Sequence, residues 1–146
     1  MHKIRERVFL GHSQDAINKE LLDKNGITVC LNCAIDLDYE CDRQYFKVGL
    51  TDGVNNTIET LGEAVETLEK LVWAGEKVLV HCHSGMSRSV TVIAAQLAMT
   101  EYRSIYQALH EIAKIKEQIY PHAGLILLAR ELVEDIDGSL LRGLRP

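Results

Sequence analysis

Short apolar runs alternate with amphipathic segments along most of the 146-residue chain. Apolar runs rich in β-branched residues predict buried strands, and apolar residues at i, i+3 and i+4 predict helices. The predicted strands are 8–10, 27–34, 45–50 and 77–80. The predicted helices are 15–24, 58–72, 89–99, 105–115 and a last one that begins after Pro121. This alternation predicts one α/β domain over 1–146, with a core at about 4–137 and a short tail at 138–146. The expected sheet is central and mostly parallel, with about four to five strands flanked by helices.

Composition and charge narrow the class of protein. Apolar residues make up 47% of the chain and charged residues 25%, as in ordinary globular domains. The net charge of −5 argues against a nucleic acid or an anionic membrane as the main partner. No apolar stretch is long enough to span a bilayer and no secretory leader opens the sequence, so we expect a cytoplasmic protein. Its four cysteines are then expected to be thiols.

The strongest chemical signal follows the strand at 77–80, where Cys82 and Arg88 enclose a five-residue loop. The loop residues are His83, Ser84, Gly85, Met86 and Ser87. A loop of this length can wrap around one phosphate, and Gly85 allows a sharp turn. The amides of 83–88 would form an anion-binding nest at a helix N-terminus, and Arg88 would hold two phosphate oxygens. The same positive field should lower the pKa of Cys82, which predicts a thiolate at neutral pH.

The segment 81–89, His-Cys-x-x-Gly-x-x-Arg-Ser, resembles the signature of the protein-tyrosine phosphatases. Chain length and the patterns at 8–18 and 25–34 are similar to the dual-specificity branch of that superfamily, and the resemblance covers about residues 4–137. It implies a protein-tyrosine-phosphatase-like fold. It also implies hydrolysis through a phosphocysteine, with no metal and no cofactor.

The resemblance assigns roles to matching positions. Cys82 is the expected nucleophile, Arg88 the phosphate-binding side chain, and Ser89 the donor that stabilises the departing thiolate. Asp52 lies thirty residues before Cys82 at a strand end, where the family has its general acid. Weaker candidates for the acid lie on the neighbouring acidic loop, at Asp36, Asp38 and Asp42.

Supporting roles are expected around the loop. Asn32 matches the position that supports the phosphate loop, and His81 is expected to support the loop or tune the thiol. His83 is expected to line the mouth of the site. Adjacent strand residues point in opposite directions, so the His-Cys-His sequence is a poor metal site. Ser87 is expected to cap the following helix, and Trp73 to lie in the core.

Cys30 and Cys33 form a Cys-x-x-Cys pair within a predicted strand. Because redox and zinc sites place such a pair at a turn or helix start, buried apolar thiols are favoured here. An alternative is a disulfide between Cys82 and one member of the pair under oxidant. Cys30 shares strand parity with Asn32, so Cys30 is the preferred partner in that alternative.

Three functions compete on this sequence. The first is a protein phosphatase that hydrolyses phosphotyrosine and also phosphoserine and phosphothreonine in a phosphoprotein substrate. The second is a phosphatase for a phosphoinositide or an RNA 5′ end, although the loop 83–87 has no lysine and the chain is acidic. The third is a phosphoprotein-binding module without turnover. The retention of Cys82, Asp52 and Ser89 argues against that module.

Overall fold

The computed structural model describes residues 1–135 and contains one sheet in the order β1-β2-β5-β3-β4. The strands are β1 His2–Arg5, β2 Val8–Gly11, β3 Val29–Ala34, β4 Gln44–Leu50 and β5 Val78–His81. The β1–β2 pair is antiparallel and every other neighbouring pair is parallel, which confirms the predicted mostly parallel sheet. The sequence does not predict β1, because Ile4 is its only buried residue and no apolar alternation marks it.

Six helices flank the sheet within the described residues. They are α1 Ser13–Ala16, α2 Lys19–Asn25, α3 Ile58–Trp73, α4 Arg88–Thr100, α5 Ile105–Ile115 and α6 Ala123–Val133. The single helix predicted at 15–24 is two short helices, because Asn18 interrupts it. The Asn18 side chain accepts a hydrogen bond of 3.1 Å from the Leu21 amide and caps α2.

The two faces of the sheet pack against different helices, as the alternation of side chains in a strand requires. Leu10, Leu31 and Val80 belong to the larger core, which includes residues of α3, α4, α5 and α6. Phe9 and Leu79 belong to a smaller core with residues of α1 and α2. Because β3 and β5 are parallel neighbours, their carboxyl ends meet at one edge of the sheet. The candidate site lies at this edge.

Trp73, expected in the core, is 66% exposed, and its Nε1 donates to Glu69 Oε1 at 2.7 Å. The apolar face expected for the last helix includes Ile136. This residue and the predicted tail at 138–146 lie outside the described residues.

Within 1–135, no helix combines the length and the apolar character that crossing a bilayer would need.

Candidate active site

Strand β5 ends at His81 and leads directly into the phosphate loop, which we define as residues 82–88. Cys82 is only 1% exposed, and α4 begins at Arg88. Gly85 has a φ of +73°, and a Cβ at this position would lie 2.7 Å from the Gly11 carbonyl oxygen. Both the backbone conformation and the available space therefore require glycine in the middle of the loop.

Neighbouring segments hold the loop by its carbonyl groups. The Ser13 amide donates to the His83 carbonyl at 3.0 Å, and the Tyr120 amide donates to the Met86 carbonyl at 2.8 Å. With these two carbonyls directed at flanking segments, loop amides can be directed at the nucleophile instead. Of the residues expected to bind substrate, His83 and Ser84 have exposed side chains, whereas Gly85, Ser87 and Arg88 are buried.

The thiol of Cys82 has a pKa below the ordinary value for cysteine. Burial alone would raise this pKa, but hydrogen bonds to the sulfur overcome that effect. Ser89 Oγ lies 3.2 Å from the sulfur, and the amides of Ser89, Gly85 and Ser87 also donate to it. The N-terminus of α4 adds partial positive charge at the same place. The arrangement therefore stabilises a thiolate.

Arg88 has one guanidinium nitrogen fully engaged by the protein. Its Nη1 donates to Asp36 Oδ1 at 2.7 Å and to the Leu50 carbonyl at 3.1 Å. Within residues 1–135, Nε and Nη2 have no protein acceptor, so one edge of the guanidinium is available for two phosphate oxygens. The hydrogen bond from Arg88 is also the main cause that lowers the pKa of Asp36.

Asp52 follows β4 on an exposed turn, which we call the acid loop (51–56). Asn56 shapes this loop, because its side chain accepts from the Thr51 amide and donates to the Thr51 carbonyl, both at 2.8 Å. Ser87 Oγ donates to Asp52 Oδ1 at 2.5 Å. The structure therefore brings Asp52 to the phosphate loop.

The other acidic candidates have different partners. Asp36 binds Arg88, as described above. Asp38 pairs with Lys47 at 2.7 Å, and Asp42 pairs with Arg43 at 2.7 Å. Of the four aspartates considered, only Asp52 has its hydrogen bond with a side-chain hydroxyl of the phosphate loop.

Ser87 does not cap α4 as expected. It occupies the N-cap position, but its side chain makes no capping hydrogen bond. Its hydroxyl instead bridges Asp52 and the His122 amide, which donates to it at 2.9 Å. Sequence reasoning missed this contact because three segments distant in sequence form it.

His81 supports the loop from behind and is neutral. Burial lowers its pKa to about 4, against the opposing effect of a hydrogen bond with the Cys82 carbonyl. The Nδ1–O distance of that bond is 3.2 Å, so Nδ1 carries the proton. Nε2 then accepts from the Tyr39 hydroxyl at 2.7 Å. The sequence did not indicate Tyr39, whose loop reads only as acidic and turn-like.

The Asn32 side chain makes no hydrogen bond to the phosphate loop. Its amide nitrogen donates to the Leu37 carbonyl at 2.8 Å and to the Tyr45 hydroxyl at 3.0 Å, and its oxygen accepts from the Ala34 amide at 2.9 Å. These bonds order the loop after β3, which carries Asp36. The support that Asn32 gives therefore reaches Arg88 only through that loop.

Both thiols of the Cys-x-x-Cys pair are fully buried, as predicted, but they face opposite sides of the sheet. Burial, followed by the charge of nearby Cys82, raises the pKa of Cys33 above its ordinary value. Burial, followed by nearby Cys41, raises the pKa of Cys30 to about 12. Strand parity places Cys33, and not Cys30, on the same side as Cys82, which disfavours Cys30 as its disulfide partner.

The described part of the chain offers no cluster of metal-binding side chains. No group of three or more histidine, cysteine, aspartate or glutamate side chains in 1–135 is arranged to hold a metal ion. His81 and His83 do not form a pair of ligands, because His81 is buried beneath the loop and His83 is exposed at its rim.

Comparisons with known proteins agree with this geometry. The family model "Dual specificity phosphatase, catalytic domain" matches residues 8–133. Dual specificity protein phosphatase 1B of Arabidopsis thaliana is 28% identical over 142 residues, which cover 95% of this chain and 85% of the relative. Human Dual specificity protein phosphatase 8 is 27% identical over 124 residues, and the chain spans only 20% of its length.

Solved structures give the same fold. A crystal structure of DUSP15 has a TM-score of 0.87 at 23% identity and covers 99% of this chain and 94% of its own. A crystal structure of PTPMT1 in complex with PI(5)P has a TM-score of 0.77 at 22% identity, with coverages of 94% and 96%.

The fold, the cysteine loop and the family match together define a cysteine-dependent phosphatase of the protein-tyrosine-phosphatase superfamily. More narrowly, the chain belongs to the dual specificity phosphatase family, a family of protein phosphatases.

Proposed function

We propose that Cys82 and Asp52 hydrolyse a phosphoprotein in two steps. In the first step the Cys82 thiolate forms an S–P bond, and the P–O bond to the leaving group breaks. Asp52 donates a proton to the departing oxygen. Arg88 and the loop amides bind the equatorial phosphate oxygens, where charge stabilisation matters most. The supporting observation is that the loop both ionises the buried Cys82 and presents a free guanidinium edge.

The second step returns the enzyme to its starting state. Water attacks the phosphocysteine, the S–P bond breaks, and Asp52 accepts a proton from that water. The products are inorganic phosphate and the Cys82 thiolate. Ser89 donates to the sulfur as the thiolate departs, a role that its 3.2 Å approach to Sγ supports. Neither step needs a metal or a redox cofactor.

The proposed substrates are phosphotyrosine, phosphoserine and phosphothreonine in proteins, and the proposed location is the cytoplasm. Membership of the dual specificity family supports these substrates. The ligand named for the PTPMT1 structure is a phosphoinositide, but likeness at 22% identity concerns the fold alone. The absence of lysine from 83–87 also favours a protein over an inositol phosphate.

The first test is hydrolysis of p-nitrophenyl phosphate in EDTA by the wild type and by Cys82→Ser. We expect activity that survives EDTA and is lost in the variant. Activity retained by Cys82→Ser would refute the mechanism. A second assay compares phosphotyrosine and phosphothreonine peptides with phosphatidylinositol phosphates. Release of phosphate from the lipids alone would refute the proposed substrate class.

A further inference from the structure

Ser87 lies where three parts of the molecule meet: the phosphate loop, the acid loop and the segment before α6. Ser87 is buried, with 4% of the residue exposed, and its hydroxyl makes two hydrogen bonds. The hydroxyl oxygen lies 2.5 Å from Asp52 Oδ1 and 2.9 Å from the His122 amide nitrogen. None of these contacts belongs to the backbone of α4.

The two partners fix the direction of the Ser87 hydroxyl. A backbone amide can only donate, so the oxygen of Ser87 accepts from His122. An ionised carboxylate can only accept, so the single Ser87 proton points to Asp52 Oδ1. The amide of His122 thus holds the hydroxyl in the orientation that serves Asp52.

Asp52 depends on this contact. Its side chain is exposed, and within residues 1–135 the only hydrogen bond to its carboxylate comes from Ser87. With Oδ1 held by Ser87, Oδ2 is the oxygen left to carry a proton to a leaving group. A free carboxyl on an exposed turn would sample many orientations, and misplaced catalytic groups lose much of their effect.

We propose that Ser87 is the positioning residue for the general acid. This role rests on the proposed function, since it has meaning only if Asp52 protonates a leaving group. Ser87 acts through Asp52 and not on the phosphate through its side chain. His122, through its backbone amide, ties the same arrangement to the segment that precedes α6.

The test is a double-mutant cycle with Ser87→Ala and Asp52→Asn, assayed on phenyl phosphate and p-nitrophenyl phosphate. Phenolate is the poorer leaving group and needs the acid more. We expect Ser87→Ala to lower kcat roughly 10- to 100-fold on phenyl phosphate, and less on p-nitrophenyl phosphate. In the Asp52→Asn background, the same substitution should change kcat by less than about twofold.

Two further measurements separate positioning from damage to the loop. The inhibition constant of vanadate, an oxyanion that the loop should bind, is expected to stay within about threefold in Ser87→Ala. Thr91→Val is the matched control, because Thr91 Oγ1 donates to the Ser87 carbonyl at 2.9 Å and not to Asp52. It should leave the ratio of the two kcat values unchanged.

The outcomes are distinct. An equal loss in both backgrounds, or a loss of vanadate binding, would overturn the positioning role, because Ser87 would then act on the loop itself. No loss in Ser87→Ala would overturn it as well. Wild-type protein that hydrolyses neither ester would refute the proposed function on which the role depends.

Discussion

The adjacent parallel strands β3 and β5 each bring a buried cysteine to the same edge of the sheet, yet the two thiols differ. The register pairs Asn32 with His81, so Cys33 and Cys82 follow at matching positions. Both residues are at most 1% exposed. Burial raises the pKa of Cys33, whereas the pKa of Cys82 is lowered despite its burial.

The difference between these thiols lies in the hydrogen-bond donors. The Ser89 hydroxyl and the amides of Gly85, Ser87 and Ser89 are directed at the Cys82 sulfur, which also lies at the N-terminus of α4. Cys33 is surrounded by apolar side chains of the larger core. Low solvent exposure thus does not decide whether a cysteine is reactive. The loop that follows the strand decides it, because a low-dielectric environment strengthens each donor that the loop supplies.

The largest expected effect tests the comparison directly by removing each thiol. Cys82→Ser should lower kcat on p-nitrophenyl phosphate by roughly 10⁴-fold or more, because the hydroxyl stays protonated. Cys33→Ala should keep kcat within about threefold of the wild type. Steady-state assays and thermal unfolding of both variants give the measurement and its folding control. A comparable loss in Cys33→Ala would show that the second thiol takes part in the chemistry.

The second prediction concerns the phosphate-binding edge beside Cys82. Arg88→Lys should lower kcat/KM by about 10³-fold, because an ammonium cannot replace the fixed pair of donors. The control is Arg103→Lys. The Arg103 side chain is half exposed and pairs with Glu101 and Glu111, none of which belongs to the phosphate loop. Measured kcat/KM should not change in that control. Full activity in Arg88→Lys would mean that the loop amides alone hold the phosphate.

Much of this region could be predicted from the sequence, because the chemistry of the loop is local. The spacing of Cys82, Gly85 and Arg88 indicates a strand, a phosphate loop and a helix within ten residues. Contacts between distant segments were not predictable in the same way. Ser87 has the residue type and the position of a helix cap. Its hydroxyl bonds to Asp52 and to the His122 amide instead, and these partners come close only in the folded chain.

The side-chain orientations that the sequence does not predict also depend on contacts between distant segments. The parity of a strand tells which residues share a face, but not which face the next loop will meet. Cys30 and Asn32 do share a face, as predicted, yet it is Cys33 on the other face whose pKa responds to Cys82. Trp73 was assigned to the core from its residue type, although it is the last residue of α3 and lies at the surface.

The third prediction concerns His81, where burial outweighs the hydrogen bond with the Cys82 carbonyl and the charge of Asp15, both of which would raise the pKa. The pKa of buried His81 is about 4, against about 6.5 for an unfolded chain. Because the unfolded state then binds the proton first, the free energy of unfolding should fall as pH drops from about 6.5 to about 4. The difference corresponds to about 3 kcal/mol at the acid end of this window. Above a pH of about 7, the contribution of His81 to the free energy of unfolding should be constant.

Urea unfolding across that window, in the wild type and in His81→Gln, measures the effect. The variant should lose most of the slope. His2→Gln is the comparison variant, because burial and then the N-terminal charge also lower the pKa of His2, which is less buried than His81. It should lose less of the slope than His81→Gln. An equal slope in wild type and His81→Gln would mean that other groups cause the acid sensitivity.

The smallest expected effect is that of Ser89→Ala. This substitution is the sharpest test of the comparison between Cys33 and Cys82, because it removes one hydrogen-bond donor and leaves both thiols in place. Ser89→Ala removes the hydroxyl 3.2 Å from the Cys82 sulfur, the largest of the causes that lower its pKa. The pKa of Cys82 should therefore rise, and the acidic limb of its alkylation by iodoacetamide should move to higher pH with it. Cys33 should stay unmodified in both proteins. If the limb does not move, the backbone amides and the α4 N-terminus ionise Cys82 without the Ser89 hydroxyl, and the contrast between the two thiols rests on the backbone alone.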